Sequence, residues 1–305
     1  MNPNTPPLFT GCATALVTPF RGGEVDRDAF IRLLRFQIEN HADALVICGT
    51  TGESPTLTDK EKQWLFTTAV RESKASPRPI PILAGTGSNN TYRAAELSRL
   101  AEACGADGLL VVTPYYNKAS EAGLIGHYEA ITAATSLPVV VYHVPSRTGC
   151  KLAPQTCKTL SENPKIIGLK DATGDISFTA KVAALCGSAL PIYAGNDDQT
   201  IPVLSLGGLG VISVVSNLLP ARMSRLCRLW REGRCTESAA EQLALLPLCE
   251  ALFCEVNPIP VKAGLSMLGL CSDEVRLPLA PADSVVRTRV REAVEKAKCM
   301  VQGAK

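Results

Sequence analysis

The sequence predicts an α/β fold, a (β/α)8 TIM barrel followed by a small C-terminal helical extension. Short apolar runs rich in Val, Ile and Leu recur through the first two-thirds of the chain, and they are typical of strands buried on both faces. Amphipathic stretches separate the runs, so that strand and helix alternate eight times over about 220 residues. Eight uninterrupted units favour a closed barrel over the competing doubly wound sheet. The runs are 12–20, 42–50, 79–87, 108–116, 137–145, 165–174, 190–197 and 209–217.

Three of the intervening stretches have a clear helical period. In 26–41, 89–107 and 123–136, apolar side chains recur every three or four residues and form one face. Gly105 is a typical stop signal for the second of them. These stretches are the helices that we expect to cover the sheet.

The strand pattern stops near residue 233, and the rest of the chain has a helical pattern. The loop 256–262 contains two prolines, which predict a rigid connection. We therefore predict a barrel domain over 1–233 and a C-terminal helical region over 234–305. The helices expected in that region are 236–255, 265–270 and 284–301.

Composition excludes several classes of protein. The chain has 305 residues, of which 46% are hydrophobic and 20% charged, as in an ordinary globular protein. The formal net charge of +2 is spread along the chain and predicts no nucleic-acid partner. No run is long and apolar enough for a membrane span, and the first residues lack a secretory signal pattern. The twelve Cys residues lack metal-binding spacing, so we expect free thiols in a cytoplasmic protein.

Reactive side chains follow several of the predicted strands. In a (β/α)8 barrel the active site lies at the C-terminal ends of the strands, so these side chains should meet at one mouth. Hydroxyl groups, one arginine and one lysine are among them. The segments are 49–54, 113–117, 142–149, 168–171 and 195–198.

Lys170 is unusual because it lies inside a strand that should be buried. Strand alternation places it on one face with Ile166 and Gly168. Burying a charged amine is costly unless its pKa falls, and a depressed pKa is what an amine needs to form a Schiff base. The alternative is a structural lysine that pairs with Asp171 or Glu53. Position alone leaves both roles open.

Other side chains offer parts of the same chemistry. Tyr142 and Tyr116 offer phenols for a proton shuttle, with a threonine hydroxyl between them, although barrel packing is the alternative role. Arg147 offers a planar guanidinium for a substrate carboxylate, and an exposed loop arginine is the alternative. The three His residues have no metal-ligand spacing, so we expect no metal site.

Six motifs resemble those of the dihydrodipicolinate synthase family, a group of pyruvate-dependent Schiff-base aldolases. The resemblance runs from about residue 9 to residue 300. It implies a lyase that condenses pyruvate with aspartate 4-semialdehyde in the diaminopimelate and lysine route. It also implies no cofactor besides the imine that forms on the enzyme's own lysine. The motifs are GTTGES (49–54), TPYYN (113–117), YHVPSRTG (142–149), GLKDATG (168–174), GNDD (195–198) and NPIPVK (257–262).

The resemblance implies roles in the reaction for four residues. Lys170 would form the imine with pyruvate, and Tyr142, Thr50 and Tyr116 would form the proton relay. Tyr116 would reach across from a neighbouring subunit, which requires a homo-oligomer. The family is usually a tetramer built from two tight dimers.

The resemblance also implies binding roles. Thr51 would hold the carboxylate of pyruvate, and Arg147 that of the semialdehyde. The backbone at Gly195 and Ile212 would line the pocket of the reactive lysine. His143 stands where many relatives carry asparagine, and we expect this difference to leave the imine chemistry unaffected.

A second departure concerns feedback inhibition. Relatives that lysine inhibits bind it at the dimer interface, and Ser54, Asn89 and Tyr115 match that site. Lys62 and Arg93 stand where those relatives carry histidine and glutamate. Two cations repel the ammonium of lysine, so the sequence predicts weak or absent inhibition.

Two alternative functions stay open. N-acetylneuraminate lyase and the keto-deoxy-sugar aldolases also use a barrel lysine and pyruvate, although the loop 146–149 suits a short acidic aldehyde better than a polyol. The other alternative is a catalytically inactive barrel that binds a small acid.

Overall fold

Eight parallel strands close into a barrel, which confirms the predicted fold. The computed structural model describes residues 7–302. Each barrel strand pairs with the next one along the chain, and the last pairs with the first, so the sheet has no free edge. Every strand overlaps one of the predicted runs. They are β1 (Gly11–Ala15), β2 (Ala44–Ile47), β3 (Ile82–Gly85), β4 (Gly108–Val112), β5 (Val139–His143), β6 (Ile166–Asp171), β7 (Ile192–Ala194) and β8 (Gly210–Ser213).

Helices cover the outside of the barrel, and polar residues set where many of them begin. Asp26, Thr58, Asn90, Ser120 and Asp175 each accept a hydrogen bond from a backbone N–H in the first turn of a helix. The three helices predicted from periodicity are present. The barrel helices are α1 (Arg27–Glu39), α2 (Asp59–Ala75), α3 (Thr91–Ala103), α4 (Glu121–Ala134), α5 (Pro154–Leu160), α6 (Ile176–Cys186), α7 (Thr200–Ser205) and α8 (Pro220–Arg231).

Short elements connect these units. A hairpin that the sequence did not predict joins Phe20–Arg21 to Glu24–Val25. Among residues 7–302, no helix is long and apolar enough to cross a membrane. Single helical turns lie at Ser54–Thr56, Pro145–Thr148, Gly187–Ala189, Asp197–Gln199 and Val215–Asn217.

Three further helices follow the barrel and pack on its last helix and on one another. The prediction of a rigid loop over 256–262 is wrong in its second half, because a helix already begins at Ile259. Pro260 lies in the first turn, where a missing N–H breaks no helical hydrogen bond. The predicted helix 265–270 is the end of this helix. The three helices are α9 (Cys235–Leu252), α10 (Ile259–Met267) and α11 (Ser284–Gln302).

The strand that carries Lys170 contains a β-bulge. Successive residues of β5 pair with Ile166 and Gly168, so Ile167 is an extra residue in β6. Ile167 packs inside the barrel, whereas Ile166 packs in the outer core between the sheet and the helices. The predicted common face of Lys170 and Ile166 is therefore wrong, because the bulge reverses the alternation before Gly168.

Candidate active site

Lys170 lies near the C-terminal end of β6 and points into the barrel. The residue is 5% exposed, and it lines a cavity of about 200 Å³. Its Nζ lies 4.3 Å from the centre of the Tyr142 ring. Burial lowers the pKa of Lys170 to about 8, although Asp197 opposes the fall. Part of the amine is therefore unprotonated near neutral pH.

The two carboxylates considered as structural partners of Lys170 are engaged elsewhere. Asp171 accepts hydrogen bonds from the Thr179 hydroxyl at 2.6 Å and from the Thr173 amide at 3.0 Å. Glu53 forms an ion pair with Lys262. The alternative in which Lys170 pairs with one of these carboxylates is therefore wrong.

Tyr142 stands beside Lys170, because the two residues are register partners in β5 and β6. Burial raises the pKa of Tyr142, and the charge of Arg147 and a hydrogen bond to Thr50 oppose the rise. A phenol with a raised pKa keeps its proton at neutral pH and can pass it to a neighbouring oxygen. The structure thus brings together Lys170, Tyr142 and Thr50.

Tyr116 lies apart from these groups within one chain. Its side chain is 88% exposed, and its backbone has a φ of 71°. Its amide donates to the Thr148 carbonyl at 3.1 Å, which fixes the loop that presents the ring. Tyr116 lines neither of the two cavities at the mouth. Within a single chain, the relay implied by the resemblance is therefore incomplete.

Asn257 links two of the predicted binding residues, and sequence reasoning missed it. Its Nδ2 donates to Thr51 Oγ1 at 2.9 Å, and its carbonyl accepts from Arg147 at 3.3 Å. Its Oδ1 is buried and has no hydrogen-bond partner among the residues that the structure describes. Asn257 begins the NPIPVK motif, which was the available signal. The motif lies beyond the barrel strands, so only the fold places it at the mouth.

Gly195 and Ile212 differ in their position relative to the cavity of Lys170. Gly195 lines the cavity of Lys170, and a Cβ there would lie 2.6 Å from the Ala172 side chain. Only glycine therefore fits this close approach. Ile212 is buried in the barrel interior, but it is absent from the lining of both cavities.

Asp197 is a second functional residue that sequence reasoning named only as part of a motif. Its carboxylate accepts from the amides of Val214 and Val215 at 2.9 and 3.2 Å and from the Ser213 hydroxyl. Burial raises the pKa of Asp197, and these hydrogen bonds oppose the rise. It is the carboxylate that favours the charged form of Lys170.

A larger cavity of about 530 Å³ opens at the same mouth. Thr50, Tyr142 and Arg147 line both cavities. Four residues of the lysine site implied by the resemblance also lie on its wall, whereas Asn89 does not. The four are Ser54, Lys62, Arg93 and Tyr115.

The arrangement suits the chemistry of a carbonyl compound. A buried amine with a lowered pKa can attack a carbonyl carbon, while a phenol and a hydroxyl transfer protons. Arg147 can bind a carboxylate through two parallel hydrogen bonds. Between residues 7 and 302, no group of three or more His, Cys, Asp or Glu side chains could hold a metal ion.

Comparison with known proteins shows the family. Residues 8–297 match the family model described as the dihydrodipicolinate synthetase family. A 4-hydroxy-tetrahydrodipicolinate synthase from Alkaliphilus oremlandii is 44% identical over 289 residues, which cover 95% of this chain and 99% of the relative. A crystal structure of dihydrodipicolinate synthase from Thermotoga maritima has a TM-score of 0.93 and 41% identity, and the match covers 95% of this chain and 99% of that one.

A more distant structure agrees with these two. The crystal structure of the enzyme from Cyanidioschyzon merolae, with lysine bound, has a TM-score of 0.92 and 36% identity over 96% of this chain and 99% of that one. Both the sequence matches and the structural matches span nearly the whole chain. The chain therefore belongs to the dihydrodipicolinate synthetase family.

Proposed function

We propose that this chain condenses pyruvate with L-aspartate 4-semialdehyde to give 4-hydroxy-tetrahydrodipicolinate, in the diaminopimelate and lysine route. The observation that carries the proposal is the buried amine of Lys170, which has a lowered pKa and faces a cavity. Relatives that cover nearly the whole chain bear the name of this synthase, which favours it over N-acetylneuraminate lyase or a keto-deoxy-sugar aldolase.

The amine of Lys170 attacks the carbonyl carbon of pyruvate, and loss of water gives the imine. Loss of a proton from the pyruvate methyl group gives an enamine, which attacks the aldehyde carbon of the second substrate, and the aldehyde oxygen takes up a proton to become the hydroxyl. The amino group of the semialdehyde then attacks the imine carbon, which closes the ring and releases the amine of Lys170. Tyr142 and Thr50 carry the protons between the nitrogen and the departing oxygen. The reaction proceeds on the lysine itself, and we propose no further cofactor.

The binding roles follow from the walls of the cavity. Thr51 holds the pyruvate carboxylate, and Asn257 fixes its hydroxyl. Arg147 holds the carboxylate of the semialdehyde. Gly195 supplies the close backbone wall beside Lys170. The lining role that we propose for the backbone of Ile212 rests on the resemblance alone, because Ile212 lines neither cavity.

Tyr116 completes the relay of a neighbouring subunit in this proposal. Its high exposure on a fixed loop supports a contact outside its own chain. The assembly is then a homo-oligomer, which we propose to be a tetramer made of two dimers. We further propose a cytoplasmic enzyme in which the helical region 234–305 braces the barrel domain 1–233 through Asn257.

Borohydride trapping tests the imine. The protein is incubated with pyruvate, reduced, and analysed by intact mass and peptide mapping, with a sample that lacks pyruvate as control. We expect one reduced pyruvyl group on the peptide that contains Lys170. Condensation with aspartate semialdehyde is then compared with cleavage of sialic acid. An unmodified Lys170 would leave the inactive binding protein as the better description, and preferential cleavage of sialic acid would favour a sugar-acid lyase.

Lysine is proposed to inhibit this enzyme weakly or not at all. Lys62 and Arg93 both line the larger cavity, so two cations face an incoming ammonium group. Asn89 lies outside this cavity and bonds to Asn117 instead. Steady-state rates are measured with submillimolar and millimolar lysine. Strong inhibition at submillimolar lysine would contradict the proposal.

A further inference from the structure

We propose that His143 is a positioning residue, which accepts the hydrogen bond that closes the loop 144–152 and so holds Arg147 at the mouth of the barrel. The proposal rests on the role given above to Arg147, which is to bind the carboxylate of the semialdehyde. His143 is the last residue of β5, and Arg147 lies in the helical turn that follows it. The chain then turns back, and the amide of Leu152 donates to His143 Nε2 at 3.1 Å. One side chain therefore ties the end of the loop to its beginning.

The state of the His143 ring suits this bond. Because Nε2 accepts from an amide, the proton of the neutral ring lies on Nδ1. The residue is 2% exposed, and burial lowers the pKa of His143 to about 4, although the charge of Asp171 opposes the fall. The ring is therefore neutral near neutral pH, and Nε2 keeps the lone pair that the bond needs.

Packing alone does not account for a histidine at this position. The ring packs against Phe178 of α6, with 5.0 Å between the ring centres, and an apolar side chain could make the same contact. The histidine instead leaves Nδ1 buried without a hydrogen-bond partner among residues 7–302, which is unfavourable. The bond to the Leu152 amide offsets this loss, because it satisfies a buried backbone donor.

The guanidinium of Arg147 depends on this loop for its position. Its side chain donates to the Asn257 carbonyl at 3.3 Å, which is long for such a bond. The backbone holds Arg147 more closely, because its amide donates to the Val144 carbonyl at 3.0 Å. The bond between Leu152 and His143 fixes the returning half of the loop. Without that bond the guanidinium loses part of the fixed geometry with which it meets a carboxylate.

Steady-state kinetics test this role in the full chain. His143→Leu should raise the KM for aspartate semialdehyde at least about fivefold, because Arg147 is no longer held in place. We expect kcat and the KM for pyruvate to change by no more than about twofold. His143→Gln should restore most of the affinity for the semialdehyde, since its Oε1 lies as many bonds from Cα as the Nε2 of histidine. His143→Met takes the place of His143→Leu if the latter does not fold.

His127→Leu is the matched control. His127 is also buried, and its Nε2 has no hydrogen-bond partner within the described part of the chain. It lies on α4, away from the loop 144–152. The control should therefore leave the KM for the semialdehyde unchanged.

A double-mutant cycle shows whether His143 acts through Arg147. Arg147→Gln alone should raise the KM for the semialdehyde, and adding His143→Leu should raise it little further. Independent effects of the two changes would overturn the proposal. An unchanged KM in His143→Leu, or a folded His143→Gln variant that regains no affinity, would also overturn it.

Two measurements on the unaltered protein complete the test. The Leu152 amide should exchange its hydrogen slowly, and rapid exchange would contradict the bond to His143. Borohydride trapping with pyruvate separates this proposal from the proposed function. An absent adduct on Lys170 would contradict the function, whereas an adduct together with an unchanged KM in His143→Leu would contradict only the role of His143.

Discussion

Lys170 and Lys262 are both buried lysines, and they differ in the hydrogen-bond acceptors that surround their amines. Each amine faces an aromatic ring, at 4.3 Å from Tyr142 and at 4.1 Å from Phe20. Lys262 also donates to the Glu53 carboxylate at 2.5 Å and to a backbone carbonyl at 2.7 Å. Within residues 7–302, Lys170 has no such acceptor.

Burial alone does not distinguish the two lysines. Burial lowers the pKa of both residues. At Lys262 the carboxylate of Glu53 opposes this effect and holds the proton in place. At Lys170 the opposing carboxylate is Asp197, which already accepts hydrogen bonds from two backbone amides and a hydroxyl. The missing partner leaves the nitrogen lone pair available.

Replacing Lys170 should have the largest effect. Lys170→Met should lower kcat by about four orders of magnitude or more, because the imine can no longer form. The same change should leave the melting temperature unchanged or higher, since it removes a buried amine without a partner. Lys151→Met, at an exposed lysine, is the control. Residual activity within tenfold of the unaltered enzyme would contradict the role given to Lys170.

Lys262 should respond in the opposite way, through stability. Lys262→Met leaves the Glu53 carboxylate buried and unpaired, which should lower the free energy of unfolding by about 3–5 kcal/mol. Adding Glu53→Gln removes that charge and should restore a large part of the loss. Urea denaturation of the two single variants and the double variant measures the coupling. Additive losses would show that the two groups do not act as a pair.

The pH dependence of imine formation gives a further test of the state of the Lys170 amine. The ammonium of Lys170 must lose its proton before it attacks, so the rate should rise with pH and level off above the pKa of about 8. Below that pH the rate should fall about tenfold per unit. Borohydride trapping at subsaturating pyruvate between pH 6 and 10 gives this profile.

Asp197 provides a test of what sets the midpoint of this pH profile, which is the pKa of Lys170. Its charge raises the pKa of Lys170, so Asp197→Asn should move the midpoint to lower pH. The amide can still accept from the two backbone N–H groups, which preserves the local structure. Asp198→Asn is the matched control, because Asp198 is adjacent and exposed. An unmoved midpoint in Asp197→Asn would mean that the charge of Asp197 does not act on the pKa of Lys170.

The barrel was predictable because its signal is local. Each strand is a short apolar run, and eight such runs separated by helices predict a closed barrel without knowledge of any contact. The bulge at Ile167 was not predictable, since it depends on how β5 and β6 pair. The helix at Ile259 was also missed, because two prolines resemble a loop until the first turn of the helix accommodates one of them.

The site was predictable only in part for a similar reason. Lys170 and Tyr142 lie near the ends of strands that the sequence shows directly, and Arg147 lies in the helical turn that follows one of these strands. Asn257 comes from a segment some hundred residues beyond Arg147 and meets it only in the folded chain, at a sequence separation of 110. The ion pair of Lys262 with Glu53 joins residues 209 apart. Pairings at such separations leave no local pattern.

The smallest effect concerns the rings that face the two lysines. Phe20 is fully buried between Lys262 and Arg276, whose cations lie 4.1 and 4.4 Å from its centre. Phe20→Leu should therefore lower the free energy of unfolding by about 1 kcal/mol more than Phe30→Leu, because Phe30 is equally buried and faces Trp64 instead of a cation. The additional loss at Phe20 should be smaller when Lys262 is also replaced by methionine. Equal losses at the two positions would show that Phe20 only fills space and gains nothing from the cations beside it.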